Sequence, residues 1–409
     1  MLFKYVDFAL ASLHKILSAF SVPFEERSLK LIAPLGISFF TFEAVSYLTD
    51  VYKGRLEPVR NLGIYAAYIS FFPNISSGPI ERGGDLIPMF EKEKKFSYDK
   101  AVYGTRLILL GLLKKMVFAN SMAKYVNFVF DNVSAYRGTA FIVATFMYTF
   151  EIYCDFSGYT DMARGIAMLL GFDLTENFRT PYLSSSVKEF WARWHISLSS
   201  WLRDYVYIPL GGNRRGKLRK NLNLMITFLV SGLWHGASWT FVLWGAIHGI
   251  CQVIEGFFTD RFGRKSPKVV IGNSSSLDQP LKKKKITAEN LAVVLKTLLT
   301  FCIVSFAWMF FRANSISDAL YILKNMSFMG NLGDAFTSMY MTKASVIKVT
   351  ATIIFVTVYD LISRTKDPLK ELDRLPLLIR WTVYVATSVL VIVLTIHNGV
   401  TAEFIYSRF

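Results

Sequence analysis

Apolar residues run through this chain in long, closely spaced blocks. Stretches rich in Leu, Ile, Val, Phe and Trp fill 32–51, 62–80, 104–130, 139–171, 221–258, 291–312, 345–363 and 376–398, with short polar or basic segments between them. A helix needs about 20 apolar residues to cross a hydrocarbon core, so several blocks predict membrane-spanning helices. Two of them, 139–171 and 221–258, are too long for one crossing. As a single helix, 221–258 would extend about 57 Å against a core of roughly 30 Å. It is expected to bend, break or form a hairpin, with Gly232, Gly236, Gly245 and Gly249 as the places to do so.

The charged residues orient these blocks. From 179 to 220 the basic residues are Arg179, Lys188, Arg193, Arg203, Arg214, Arg215, Lys217, Arg219 and Lys220, against Glu189 and Asp204. From 259 to 288 they are Arg261, Arg264, Lys265, Lys268 and Lys282 to Lys285, against Asp260 and Asp278. Both segments are predicted to be cytoplasmic, because positive charge accumulates on that side. The run between them must then cross an even number of times, or dip in and return. That sets its middle, His235 to Trp244, deep in the membrane or towards the far side. Within 259–288, Ser274 to Ser276 precede four lysines, which predicts a flexible basic linker.

Composition agrees. Of 409 residues 53% are apolar and only 19% charged, with 35 Phe, 20 Tyr and 8 Trp, too little polar surface to cover a soluble core of this size. The net charge of +16 lies in blocks between apolar runs. That is the positive-inside pattern rather than a nucleic-acid footprint. Cys154, Cys251 and Cys302 lie in apolar surroundings and form no Cys-x-x-Cys pair, so they are read as buried free thiols rather than a disulfide framework or zinc ribbon; Cys154, which precedes Asp155, is the one to test as a nucleophile. The first twenty residues carry Lys4, Asp7, His14 and Lys15 and show no secretory signal. The expected fold is all-α: one polytopic membrane domain over 1–409, with re-entrant or broken central helices.

Three constellations carry candidate chemistry. In 181–212, Trp191, Trp194, Leu198, Trp201, Leu202 and Tyr205 recur at helical spacing. This predicts an amphipathic helix lying at headgroup level, with His195 beside its aromatic face as either a local anchor or a catalytic group. In 232–249, His235 and His248 sit in a run without a formal charge until Glu255. An ionisable side chain at membrane depth is costly, so His235 is expected to face a polar cavity. In 153–165, Asp155 and Asp161, with Ser157, Tyr159 and Thr160, either line a proton or substrate path or cap helix ends at a break near Gly158. Gly211 to Lys217 has the spacing of a phosphate-binding loop, but Leu218 stands where Ser or Thr is needed. The histidines lack zinc-hydrolase spacing, and no metal site is expected.

These blocks resemble the membrane-bound O-acyltransferase superfamily, nearest its bacterial alginate O-acetyltransferase branch. The resemblance rests on YCDFSGYTDMARG, FWARWHISLSSWLRDYVYIPLGG and GLWHG…WGAIHG, with PLGISFFTFEAVSYLTDVYKG, FFPNISSGPIER, WMFFRANSISDAL and the terminal EFIYSRF in support. It covers essentially the whole chain, although family members carry further hydrophobic sequence ahead of the part matching Leu2 to Tyr5. It implies acyl transfer, most often of acetyl, to cell-surface polysaccharide at a bacterial cytoplasmic membrane. It makes His235 the essential histidine and His195 the second recurrent one. Acyl transfer to a hydroxyl needs a base, oxyanion stabilisation and exclusion of water. His235 is expected to take the acceptor proton, and His195 to orient the donor or assist proton transfer. Asp155, Ser157, Tyr159, Asp161, Trp194, Arg203, Asp204, Trp234 and His248 are candidate substrate- or donor-binding residues.

The expected donor is acetyl-coenzyme A, with no resident cofactor. Arg214, Arg215 and Lys217 are placed either to attract its phosphates or to fix topology. Expected partners are membrane lipid, a polysaccharide acceptor and an extracytoplasmic acetyltransferase, with no nucleic acid. Two other readings stay open: D-alanyl transfer to teichoic acid within the superfamily, and a transporter or channel using Asp155, Asp161 and His235.

Overall fold

The computed structural model describes residues 2–23, 34, 36–262, 288–328, 330–398 and 405. Among them there is no strand, only an isolated antiparallel bridge between Phe178 and Trp194. The chain starts with α1 (Leu2–Ala19), α2 (Ile37–Tyr52), α3 (Leu62–Ile69) and α4 (Gly83–Glu91). Two long helices follow. α5 (Tyr98–Leu112) runs through a π-helical stretch, Leu113–Ala119, into α6 (Asn120–Phe130), and α7 spans Thr139–Leu169. The centre holds α8 (Val187–Arg193), α9 (Ile196–Leu202), a second π-helical stretch at Arg203–Tyr207, α10 (Gly216–His235) and α11 (Trp239–Phe262). The remainder is α12 (Ala288–Arg312), α13 (Ile316–Asn325), α14 (Leu332–Ser338), α15 (Lys343–Ser363), α16 (Pro368–Glu371) and α17 (Leu377–Asn398).

Four of these helices are long and apolar enough to cross a bilayer: Trp239–Arg261, Leu291–Arg312, Lys343–Ser363 and Leu377–Ile396. Most of their surface stays uncovered by protein, as lipid-facing helices require. The protein is an all-helical, multi-pass membrane protein. Several helices begin where the sequence supplies a cap. Ser186, Ser315 and Thr342 each accept a backbone N–H from the third residue on, and Asn331 with Asp334 forms a reciprocal capping box. The basic linker expected at 259–288 falls largely on 263–287, outside the described residues.

The block 221–258 folds as its length demanded. α10 stops at His235, the chain turns over Gly236 to Ser238, and α11 returns antiparallel against α10. Glycines permit this close return. A Cβ on Gly232 would stand 2.2 Å from the Phe241 carbonyl oxygen, and one on Gly245 2.3 Å from that of Phe228. Without a hydrophobic drive between helices in lipid, such backbone-to-backbone contact supplies much of the attraction.

The block 139–171 corrects its expectation. α7 is one unbroken helix of 31 residues, about 47 Å long, so it is neither split nor turned back. Gly158 is not a break but a contact point. A Cβ there would meet the Gly111 carbonyl oxygen at 2.8 Å, and one on Gly111 would meet the Gly158 oxygen at 2.4 Å. Gly104 and Gly165 repeat the arrangement along the same α5–α7 seam. Gly111→Ala should therefore push the two helices apart and lower stability by about 1–3 kcal/mol, as overpacking does. Thermal unfolding of the purified protein checks this, and an unchanged midpoint would contradict the seam.

Two further expectations fail. The block 62–80 is not a span, because α3 ends at Ile69 and irregular chain fills the rest. Nor is 181–212 a single interfacial helix. It breaks at Trp194–His195, and Trp191, Trp194 and Trp201 are buried in the protein core rather than turned to headgroups.

Candidate active site

The site grows from that break. Nothing in 187–202 is Gly or Pro, so local propensity favours a continuous helix. Tertiary contacts override it. His195 takes the left-handed conformation, φ 44° and ψ 55°, uncommon outside glycine though tolerated by His. The loop before α8 holds it there. The Ile196 N–H donates to the Asn177 carbonyl at 3.1 Å, and the Ser197 N–H donates to Asn177 Oδ1 at 3.1 Å. The kink drives the His195 imidazole into the bundle, where it is fully buried with its ring 4.7 Å edge-on from Phe156 of α7. Burial lowers its pKa to about 3, which favours the neutral imidazole.

Trp234 links His195 to the elbow of α10 and α11. Its ring lies 6.0 Å from His195 and 4.9 Å from His235. Trp234 is itself fixed by Phe42 of α2, which stacks between it and Trp201. The Trp234 and Trp201 indole N–H groups donate to the carbonyls of Ser38 and Phe42, at 3.4 and 2.9 Å. His235 is 3% exposed and boxed by Trp234, Trp244 at 5.0 Å and Phe311 at 5.2 Å. α1 supports the elbow from outside: the Tyr5 hydroxyl donates to the Leu233 carbonyl at 3.0 Å, and Phe8 packs on Trp239.

Trp244 continues the layer to His248, 5.0 Å away. The Trp191 indole N–H donates to His248 Nδ1 at 3.3 Å. An indole can only donate, so Nδ1 is the acceptor and a neutral His248 carries its proton on Nε2. Three histidines thus sit in one continuous layer of tryptophan and phenylalanine, from which bulk water is excluded.

The predicted site residues divide around this layer. Trp194, His195, Trp234, His235 and His248 come together within it. Asp155 and Ser157 flank Phe156 and are buried beside it, but Asp155 does not cap a helix or face an open path. It pairs with Lys115 and accepts the Ile405 N–H at 2.9 Å. Asp161 pairs with Lys114 at 2.8 Å. The wide turn of the π-helical stretch points both adjacent lysines at α7, a local irregularity of the kind often kept for a purpose. Tyr159 instead bonds Ser76. Arg203 and Asp204 pair with each other at 2.7 Å, with Arg82 3.4 Å from Asp204. Arg214, Arg215 and Lys217 are exposed before or at the first turn of α10, the full 20-residue helix from His235, about 30 Å away. They are not part of the histidine site. Cys154 is a buried free thiol in the hydrophobic core, next to Asp155 in the chain. Among the described residues no cluster of three or more His, Cys, Asp or Glu could hold a metal.

Lys114 and Lys115 escaped the sequence reading, as did two buried carboxylates, Glu43 and Glu81. Their signal was available, a carboxylate or ammonium inside an apolar run, but each partner lies far along the chain. Glu43 accepts the Asn74 side-chain N–H at 2.7 Å and the Glu81 N–H at 3.2 Å. Glu81, in the connection before α4, accepts the Thr175 N–H and hydroxyl at 2.6 and 3.0 Å. Burial pushes the Glu81 carboxyl up to about 7; Asp85 adds to the rise, and the Thr175 bonds and Arg164 oppose it. Glu43 packs against the same group. A carboxyl whose pKa is raised by folding binds its proton more tightly in the folded state. That stability is complete below the unfolded value near 4.5 and is lost as pH rises through about 7. Glu81→Gln should remove this dependence, which is on the order of 3 kcal/mol. Thermal midpoints between pH 5 and 8 should fall with pH in the wild type and flatten in the variant, over about the range where the group titrates. Parallel curves would contradict the assignment.

With this geometry in place, comparison with known proteins defines the class. Residues 59–269, just over half of the chain and including all three histidines of the layer, match the profile of MBOAT, the membrane-bound O-acyltransferase family. The chain belongs to that family. It is 45% identical over 254 residues to the protein of Azotobacter vinelandii named "Probable alginate O-acetylase AlgI", a match covering 62% of this chain and 50% of that protein. It is 34% identical over 353 residues to the peptidoglycan O-acetyltransferase of Helicobacter pylori, covering 79% and 61%. It is 30% identical over 241 residues to the teichoic acid D-alanyltransferase of Bacillus subtilis, covering 56% and 60%. The chain spans about half the length of the alginate-related relatives it matches.

Proposed function

We propose that this protein is an O-acyltransferase that moves acetyl groups from a cytoplasmic thioester, acetyl-coenzyme A, towards hydroxyls of an exported cell-surface polysaccharide at a bacterial cytoplasmic membrane. The observation that carries the reading is His235. It sits at the elbow of the α10–α11 hairpin, within the family match, walled by aromatic rings and accompanied by His195 and His248. His235 acts as general base for the acceptor hydroxyl, a task suited to an imidazole near neutral pH. His195, neutral and rigidly kinked, orients the donor. His248, through its Nε2–H, offers a hydrogen-bond donor to the acyl carbonyl or to a bridging water. The aromatic walls exclude the water that would hydrolyse the thioester.

Acetyl rather than D-alanyl is preferred because the alginate and peptidoglycan relatives are more similar in sequence to this chain than the D-alanyltransferase. The transporter reading loses its charges: Asp155 and Asp161 are each engaged by a buried lysine. An extracytoplasmic acetyltransferase that receives the acetyl group completes the proposal. Membranes bearing the protein should transfer label from acetyl-coenzyme A to polymer. Transfer only from a carrier-protein thioester would favour the D-alanyl branch, and flux of an unmodified solute would favour a transporter.

A further inference from the structure

The break between α8 and α9 interrupts a sequence with helical spacing and neither Gly nor Pro. A non-glycine residue held in the left-handed region is strained and persists only when surrounding contacts over-determine it. Those contacts converge on one buried carboxylate. Glu81 binds Thr175 through both carboxylate oxygens. Two residues on, Asn177 takes the N–H groups of Ile196 and Ser197, the two residues after His195. The next pairs continue the clamp, with a bridge between Phe178 and Trp194 and a bond from the Arg179 N–H to the Arg193 carbonyl at 2.9 Å. On the other side of Glu81, the Ile80 N–H donates to Ser197 Oγ at 3.0 Å. Both the carboxylate and the backbone beside it therefore grip the same kink.

We propose that Glu81 is a positioning residue for His195, acting through Thr175 and Asn177 to hold the imidazole in the aromatic layer. Without that grip, α8 and α9 relax towards the continuous helix their sequence prefers, and His195 rotates away from Trp234 and Phe156. The residue's use in catalysis rests on the acyltransfer reading above, but its geometry does not.

The test uses the full chain, purified in detergent, as wild type, Glu81→Ala, Asn177→Ala and Glu81→Gln. Gln keeps an acceptor for the Thr175 N–H and offers its amide to the Thr175 hydroxyl. Accessibility of each histidine is read by carbethoxylation with diethyl pyrocarbonate and peptide mass spectrometry, with His235 and His248 as buried internal controls. His195 should stay protected in the wild type and Glu81→Gln and become reactive in Glu81→Ala and Asn177→Ala, with both controls unchanged. Acetyl transfer by Glu81→Ala should show kcat lower by on the order of 100-fold at unchanged KM for the donor, with recovery in Glu81→Gln. Protection of His195 in Glu81→Ala equal to wild type would overturn the proposal. So would a rise shared equally by all three histidines, which would make Glu81 a general prop of the fold. Selective exposure of His195 in a protein whose wild type transfers no acetyl would support the positioning role and overturn the acyltransfer reading instead.

Discussion

Replacement of His235 by alanine is expected to lower acetyl transfer by on the order of 10²–10⁴-fold, the usual contribution of a positioned general base. Expression and membrane insertion should remain normal. His235 ends α10 and packs against the rings of Trp234, Trp244 and Phe311. Those rings have other neighbours: Trp234 leans on Phe42, and Trp244 stacks on Trp308. The box therefore survives loss of the imidazole, while the proton acceptor disappears. The loss should fall on kcat, since the base acts in the transition state rather than in donor binding. Initial rates with labelled acetyl-coenzyme A check this, beside immunoblots of the membrane fraction.

The second large effect concerns the buried ion pairs. Asp155→Ala should destabilise the protein by about 3–5 kcal/mol, because the buried Lys115 ammonium loses the carboxylate that faces it. Lys115 and Asp155 are both buried, and the carboxylate also receives the Ile405 N–H. Truncating one partner leaves the desolvation cost of the other in place. A double variant, Lys115→Met with Asp155→Leu, should recover much of the loss, since apolar replacement of both charges removes that cost. Recovery should be partial, because the Ile405 N–H still lacks its acceptor. Thermal unfolding of the singles and the double measures the coupling. Simple additivity would show that the pair contributes nothing as a pair.

The sequence made the helical class and the central hairpin legible for a physical reason. Apolar runs report membrane depth directly, and a run of 38 residues cannot remain one crossing helix of this bundle once its glycines permit a turn. The same reasoning misjudged 139–171, where excess length does not force a break. Its glycines face those of α5 instead, a pairing visible only when both helices are in place. The histidines were legible because ionisable groups in apolar surroundings are expensive. The kink at His195 was not, because local periodicity over 187–202 favours an unbroken helix and the opposing contacts come from Ile80 and Asn177. Lys114 and Lys115 were hidden for a related reason: their partners are 47 and 40 residues further along the chain. Glu43 and Glu81 stood in plain view inside aromatic-rich segments. Their role lies in long-range hydrogen bonds that spacing does not encode.

His235 is the proposed general base for acyl transfer to the acceptor hydroxyl. Its most direct test is incubation of membranes carrying the wild type or His235→Ala with labelled acetyl-coenzyme A, followed by analysis of extracellular polymer. Alkali-labile acetyl label is expected on the polymer with the wild type and almost none with the variant. Equal labelling by the two would contradict it.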